Sequence, residues 1–176
     1  MKIVLHICCG ICAAGVVERL IEEGHEVRGY FYNPNIHPRA EYNQRREVAQ
    51  RVAEELDFPL VLPPYRPQEW HREIVSLESE PEGGRRCEVC FRLRLKRTFD
   101  FMKEQGGDVF TTTLTVSPQK SANLVNQVGW EVGGDSFLRR DFKKKEGFKR
   151  SMELAREWAL YRQHYCGCVY SQGEDR

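Results

Sequence analysis

The opening of this chain alternates strand, helix and strand, and that order restricts the fold more than any other feature. Residues 2–7 are a short apolar, β-branched run that reads as a buried strand. Residues 13–23 then place Val16, Val17, Leu20 and Ile21 at helical spacing, and Gly24 supplies the stop. Residues 26–32 form a second strand that ends at the turn signal Asn33-Pro34-Asn35. Two strands joined by a crossover helix run parallel, so the expected fold is α/β, with a doubly wound, mostly parallel sheet. In such sheets the chemistry collects at the carboxyl ends of the strands.

The rest of the chain continues the alternation. Residues 39–56 are a charged helix with Val48, Val52, Ala53 and Leu56 as its apolar face, and residues 58–62 are a short strand closed by Pro63-Pro64. Residues 67–77 read as a helix with Trp70 and Ile74 on one side, and residues 80–84 as a linker rich in acid and glycine. A helix over 87–105 carries Phe91, Leu95, Phe99 and Met102 as a core stripe. A threonine-rich strand follows over 108–116, and Pro118 then suits the first turn of a helix running to about Val128. The chain has 176 residues, which suggests one domain. Residues 139–176 within it form a basic loop and a C-terminal helix, over 151–165, that leads into Cys166-Gly167-Cys168.

Hydrophobic residues make up 40% and charged residues 30%, as in a folded, soluble protein. The formal net charge of +1 neither demands nor excludes nucleic acid, so the distribution of charge must decide. The apolar run after Met1-Lys2 is too short for a signal peptide, and no stretch approaches a membrane span. A reducing, cytoplasmic setting is expected. There, grouped cysteines bind metal or exchange electrons more often than they form structural disulfides.

The seven cysteines fall into three groups: Cys8-Cys9-x-x-Cys12, Cys87-x-x-Cys90 and Cys166-x-Cys168. Cys87 and Cys90 share one face of a helix and sit in its first turn, where the dipole favours thiolate; Arg85 and Arg86 add positive field. Cys8 and Cys9 are adjacent at a strand end and can serve one centre only if the chain turns there, which Gly10 allows. Cys12 then falls at the start of the first helix. The separation of these groups by most of an α/β domain favours an iron–sulfur centre over a compact structural zinc module. A disulfide between Cys166 and Cys168 closes a tight ring and is easily reduced, which suits a redox-active dithiol; the pair can also ligate a second metal.

With these residues in view, nearly the whole chain resembles the cobalamin-independent epoxyqueuosine reductases of tRNA queuosine maturation. The resemblance rests on His6-x-Cys8-Cys9-x-x-Cys12, on Tyr32-Asn33-Pro34-Asn35-Ile36-His37-Pro38 with Glu41-Tyr42, and on Cys87-x-x-Cys90-Phe91-x-x-Arg94. It continues through Thr112-Thr113-Leu114-x-x-Ser117-Pro118, Asp141-Phe142-Lys143-Lys144 and Tyr161-Arg162-Gln163-x-Tyr165-Cys166-Gly167-Cys168. It implies two-electron reduction of epoxyqueuosine to queuosine at the wobble position of tRNA. It implies a [4Fe-4S] cluster on Cys8, Cys9, Cys87 and Cys90, a redox-active Cys166–Cys168 pair, and packing or an additional iron for Cys12. The fold resembles the adenine-nucleotide α-hydrolase-like (HUP) sheets. In ATP-using members a Gly/Ser-rich loop after the first strand cradles phosphate, whereas here that loop is Cys8-Cys9-Gly10-Ile11-Cys12, with no Ser/Lys set for ATP.

Removing an epoxide oxygen needs two electrons and two protons. His37, Tyr32 and Asp141 are the candidate proton donors, and the electron donor is unidentified. An iron with an open coordination site is a candidate to polarise the C–O bond. Arg139, Arg140, Lys143, Lys144 and Lys145, followed by Lys149-Arg150 and lying near Phe142 and Phe148, form a basic cluster suited to tRNA phosphates and unpaired bases. Three rival classes remain: a zinc-stabilised nucleic-acid-binding module, a metal-free thiol–disulfide oxidoreductase, and an ATP-dependent or thiolating enzyme on the same fold.

Overall fold

Ile3, Leu5 and Ile7 pack into one apolar core and Val4 into another, so the first strand is covered on both faces. The computed structural model describes residues 1–172. The strands are β1 (Lys2–His6), β2 (Glu26–Tyr30), β3 (Leu60–Val61) and β4 (Val109–Thr112). They pair in parallel in the order β3-β2-β1-β4. The helices are α1 (Gly10–Glu22), α2 (Arg39–Glu55), α3 (Pro67–Glu73), α4 (Arg85–Glu104), α5 (Ala122–Gly133) and α6 (Gly147–Glu157). Helix α1 packs between α2 and α6, and α4 packs against α5. Helices α1, α2 and α6 bury the Ile3/Leu5/Ile7 face and α4 and α5 bury the Val4 face, giving the doubly wound arrangement. No helix among the described residues is long and apolar enough to cross a membrane.

The chain moves from β1 outward to β2 and β3, then returns past β1 to β4. The order of strands therefore reverses between β1 and β4, the place where such sheets open a binding crevice. His6 stands level with Tyr30 on one side and Thr112 on the other, so the segments leaving the strands diverge at one edge.

Several elements differ from the periodicity reading. Helix α1 starts at Gly10 rather than residue 13, which puts Cys12 inside its first turn. The threonine-rich strand stops at Thr112, and Thr113–Val116 wind into a 3₁₀ turn. The Thr112 hydroxyl accepts the Leu114 N–H at 3.1 Å, an alternative to ladder bonding that threonine offers. Helix α5 begins after Ser121, whose hydroxyl caps the Leu124 N–H at 3.2 Å, not at Pro118. Helix α6 spans Gly147–Glu157 rather than 151–165; Ala159 takes a positive φ of 49°, and residues 160–168 continue without helix. Helix α3 likewise ends at Glu73, and β3 keeps only two residues.

Candidate active site

The turn that carries the first cysteines depends on a close approach of α1 to α2. A Cβ on Gly10 would lie 2.6 Å from Val48 Cγ1 and 2.7–2.8 Å from the Val48–Ala49 backbone, so only glycine lets α1 begin here. Cys9 is the N-cap, and its Sγ accepts the Cys12 N–H at 3.4 Å. Cys8 reaches across the β1–β4 crevice: its N–H donates to Thr113 Oγ1 at 3.0 Å, and the Thr113 hydroxyl donates to Cys8 Sγ at 3.2 Å. The sulfurs of Cys8, Cys9 and Cys12 all lie within 4.8 Å of one another, a spacing at which one metal centre can be shared.

These thiols titrate as a unit. Hydrogen bonds from Cys12 and Cys9 hold Cys8 well below the usual thiol range against the cost of burial, and Arg94 and Lys120 add positive charge. Cys9 is pushed up to about 12: its Cys12 partner favours the thiolate, but the Cys8 thiolate and burial outweigh it. Cys12 is raised by the same two neighbours and by burial. Of the three thiols Cys8 is thus the one shifted toward the thiolate, and it is half-buried on the cavity wall.

The second group opens α4. Gly84 is the N-cap, so Cys87 and Cys90 occupy the first turns. Cys87 Sγ accepts the Gly83 N–H at 3.2 Å, yet burial carries this thiol up to about 11. Burial also raises Cys90, opposed by the charge of Arg94. Both thiols are further raised by negative charge on Cys166, and Cys168 is buried against Trp70, Ile74 and Cys90. The third cysteine group thus folds back onto the second.

A buried network holds it there. The Arg45 guanidinium donates to the carbonyls of Tyr165 and Cys166, each at 2.9 Å, and pairs with Glu41 at 2.7 Å. Glu41 in turn accepts the Tyr161 hydroxyl at 2.8 Å, the Tyr165 hydroxyl donates to the His37 carbonyl, and the His37 N–H donates to Gly167 O at 2.7 Å. Gly167 has a φ of 123°, and a Cβ there would sit 3.0 Å from Ile36 and 3.1 Å from Arg45, so this latch requires glycine.

A cavity of about 450 Å³ opens beside these sulfurs, walled by Cys8, Cys12, Cys166, Arg94, Lys120 and Tyr165 among others. Its volume falls in the range of small-molecule sites. Arg45, Arg162 and His164 also line it. Burial disfavours the charged form of Lys120, but attraction to Cys166, Cys8 and Cys12 outweighs this and raises its pKa, so it is an ammonium at neutral pH.

The three proton-donor candidates lie outside the cavity lining. The Tyr32 hydroxyl donates to Glu69 at 2.5 Å on α3, and burial and that carboxylate push its pKa far up. His37 is half-buried beside Trp70 and His71, with Nδ1 at 2.8 Å from the Asn35 carbonyl, and burial lowers its pKa. Asp141 accepts the Lys143 N–H at 3.1 Å. The basic cluster is also spread out. Arg139 lies 3.8 Å above the Trp130 ring, Arg140 pairs with Glu23 at the end of α1, and Lys143 Nζ donates to the Thr115 and Lys120 carbonyls. Lys144 and Lys145 are exposed.

The cavity cations escaped the periodicity reading. Arg94 had a legible signal, since it follows Cys90 by one helical turn; Arg45 and Lys120 had none, because what they face is distant in sequence.

Residues 3–174 match the family model described as epoxyqueuosine reductase QueH. The chain belongs to the QueH family. It is 40% identical to the QueH epoxyqueuosine reductase of Streptococcus pyogenes serotype M1, over 97% of this chain and 70% of the relative. It is 32% identical to that of Thermotoga maritima, over 99% of this chain and 92% of the relative. As a member of this family it is an oxidoreductase. Solved structures with the same fold include NMN synthetase from Francisella tularensis, with TM-score 0.57 and 15% identity over 98% of this chain and 69% of that one. They also include the U34-tRNA thiolase NcsA from Methanococcus maripaludis with its [4Fe-4S] cluster, with TM-score 0.55 and 15% identity over 97% of this chain and 61% of that one.

Proposed function

We propose that this QueH-family chain reduces the epoxide of epoxyqueuosine in tRNA to the alkene of queuosine, at a cysteine-held iron–sulfur centre beside the cavity. The family match over residues 3–174 carries the reaction; Cys8, Cys9 and Cys12 at ligand spacing, Cys8, Cys12 and Cys166 on one cavity wall, and Cys168 packed against Cys90 support the centre. The donor set suits it. Thiolates favour iron–sulfur clusters and zinc over hard cations, and Cys8, Cys9 and Cys12 already stand at ligand spacing. Cys8, Cys9, Cys87 and Cys90 are the proposed [4Fe-4S] ligands, and Cys12 is the proposed ligand of an additional iron. A [4Fe-4S] cluster is compatible with this scaffold, since NcsA carries one on the same fold. When bound, such a centre supplies electrons singly and a Lewis acid for the epoxide oxygen.

Epoxide to alkene takes up two electrons and two protons and releases one water. Oxidation of the Cys166–Cys168 dithiol to its disulfide releases two electrons and two protons, so the pair balances one turnover. An external donor of unknown identity then reduces the disulfide. Arg45 holds Cys166 at the cavity wall, and Lys120 and His164 are protic groups at that wall alongside the more distant His37, Tyr32 and Asp141.

Anaerobic purification with iron, acid-labile sulfide and visible spectra tests the centre. About four irons or more with matching sulfide, and absorption that bleaches with dithionite, are expected. Zinc alone, or no metal after reconstitution, would move the weight to a zinc-stabilised binding module or a metal-free dithiol oxidoreductase. Cys168→Ser should retain iron but stop after about one turnover on epoxyqueuosine-tRNA; full multi-turnover activity would remove the dithiol from the reaction.

A further inference from the structure

Three arginines are buried, and they differ in what answers their charge. Arg45 has Glu41. Arg86 also lacks a carboxylate partner among the described residues and its Nε is unpartnered, but its Nη1 donates to the carbonyls of Glu78 and Glu80 and its guanidinium lies over the Tyr170 ring, with no thiol among these partners. Arg94, only 2% exposed, has no carboxylate within ion-pair distance among the described residues. Its Nη2 donates to the neutral amide of Asn33 at 2.7 Å, its Nη1 points at Cys90 Sγ at 3.9 Å, and its Nε has no partner. A guanidinium does not shed its proton, and a buried charge without an opposite charge is strongly destabilising. The groups that meet the Arg94 charge and can become negative are thiols: Cys90 one turn before it, and Cys8, which lines the same cavity as Arg94.

Arg94 is also tied to both cysteine-bearing segments. Asn33 accepts from Arg94 and donates to the Ile7 carbonyl at 2.8 Å, immediately before Cys8. The guanidinium thereby spans from α4, which carries Cys87 and Cys90, to the end of β1, which delivers Cys8 and Cys9.

We propose that Arg94 is the counter-charge of the metal centre, a positioning residue that stabilises its more negative, reduced form and so raises its reduction potential. This rests on the reading of the thiols as iron–sulfur ligands. Charge and hydrogen bonding around cluster sulfurs are what the protein uses to set potential.

The test compares wild type, Arg94→Gln and Arg94→Lys as full-length, anaerobically reconstituted proteins. Iron and sulfide are measured, and the centre is titrated potentiometrically by its visible absorption. At the wild-type midpoint, the loaded Arg94→Gln protein should show a reduced-to-oxidised ratio at least about tenfold lower, while Arg94→Lys stays within about threefold of wild type. An Arg94→Gln protein that loses iron while Arg94→Lys loads fully also supports a charge requirement. Three results would overturn the role: an unmoved potential in Arg94→Gln, equal shifts in both variants, or loss of iron from both. A wild type that takes up no iron removes the centre and this role together, whereas a loaded wild type with an unmoved Arg94→Gln removes the role alone.

Discussion

His6 stands 0% exposed at the end of β1, and burial, with the Arg94 charge behind it, carries its pKa down to about 3. Its two ring nitrogens are matched to a neutral imidazole. Nε2 lies 3.2 Å from the Tyr32 carbonyl and must donate, and Nδ1 lies 2.9 Å from the Thr112 hydroxyl and accepts. The unfolded chain takes up this proton near 6.5 and the native chain only near 3, so the unfolded state binds more protons between those values. Stability is therefore lost as pH falls below about 6.5. For the metal-free protein, going from about pH 7 to about pH 5.5 should cost about 1 kcal/mol through this residue. Urea midpoints at the two pH values check it: His6→Gln should flatten the dependence, and an equally steep variant would assign the loss to other groups.

At the scale of elements, the irregular segment after α6 replaces what helical periodicity extends to Tyr165. Its place is set by Arg45 on α2, which is why the dithiol reaches the cavity wall that the Cys8 and Cys12 turn also lines. Arg45→Met leaves Glu41 buried without its partner and should destabilise the fold by about 3–5 kcal/mol. Well below the melting temperature, Cys166 in the metal-free variant should react with iodoacetamide at least about tenfold faster, because the latch opens locally; Arg45→Lys should restore part of the protection. An unchanged alkylation rate would show that another contact holds the segment. Gly10 is the corresponding constraint at the other end of the site. Gly10→Ala drives a methyl into the α2 backbone and should lower stability by about 1–3 kcal/mol in thermal unfolding, and an unshifted midpoint would show that α1 can step away from α2 without cost.

Across the whole molecule, the cations are distributed differently from their clustering in sequence. Arg140 and Lys143 are engaged with Glu23 and with loop carbonyls, whereas Arg94, Lys120 and Arg162 face the cavity. tRNA binding should weaken steeply with salt, as phosphate contacts require. Lys144→Glu with Lys145→Glu should reduce the salt slope by about one to two if the exposed end of the basic loop touches phosphate, with iron content unchanged. If the slope is unmoved there and falls in Arg162→Gln, the nucleic acid lies over the cavity rim instead.

The sequence by itself determined the parallel α/β plan, because strand and helix periodicities are local and a crossover helix leaves parallel pairing as the favoured outcome. It also placed the first two cysteine groups at a strand–helix turn and a helix start, since spacings of three or four residues translate directly into one helix face. Only the tertiary structure decided which groups meet. Cys8 and Thr113 are 105 residues apart, and Arg45 and Cys166 are 121 apart; no short-range pattern links them. The same holds for the strand that ends at Thr112, where a hydroxyl outbids a ladder that has no neighbour beyond His6. It holds again for Arg94, legible as a residue one turn from Cys90 but without a carboxylate partner among the described residues because packing sets it beside the Cys90 thiol and the Asn33 amide.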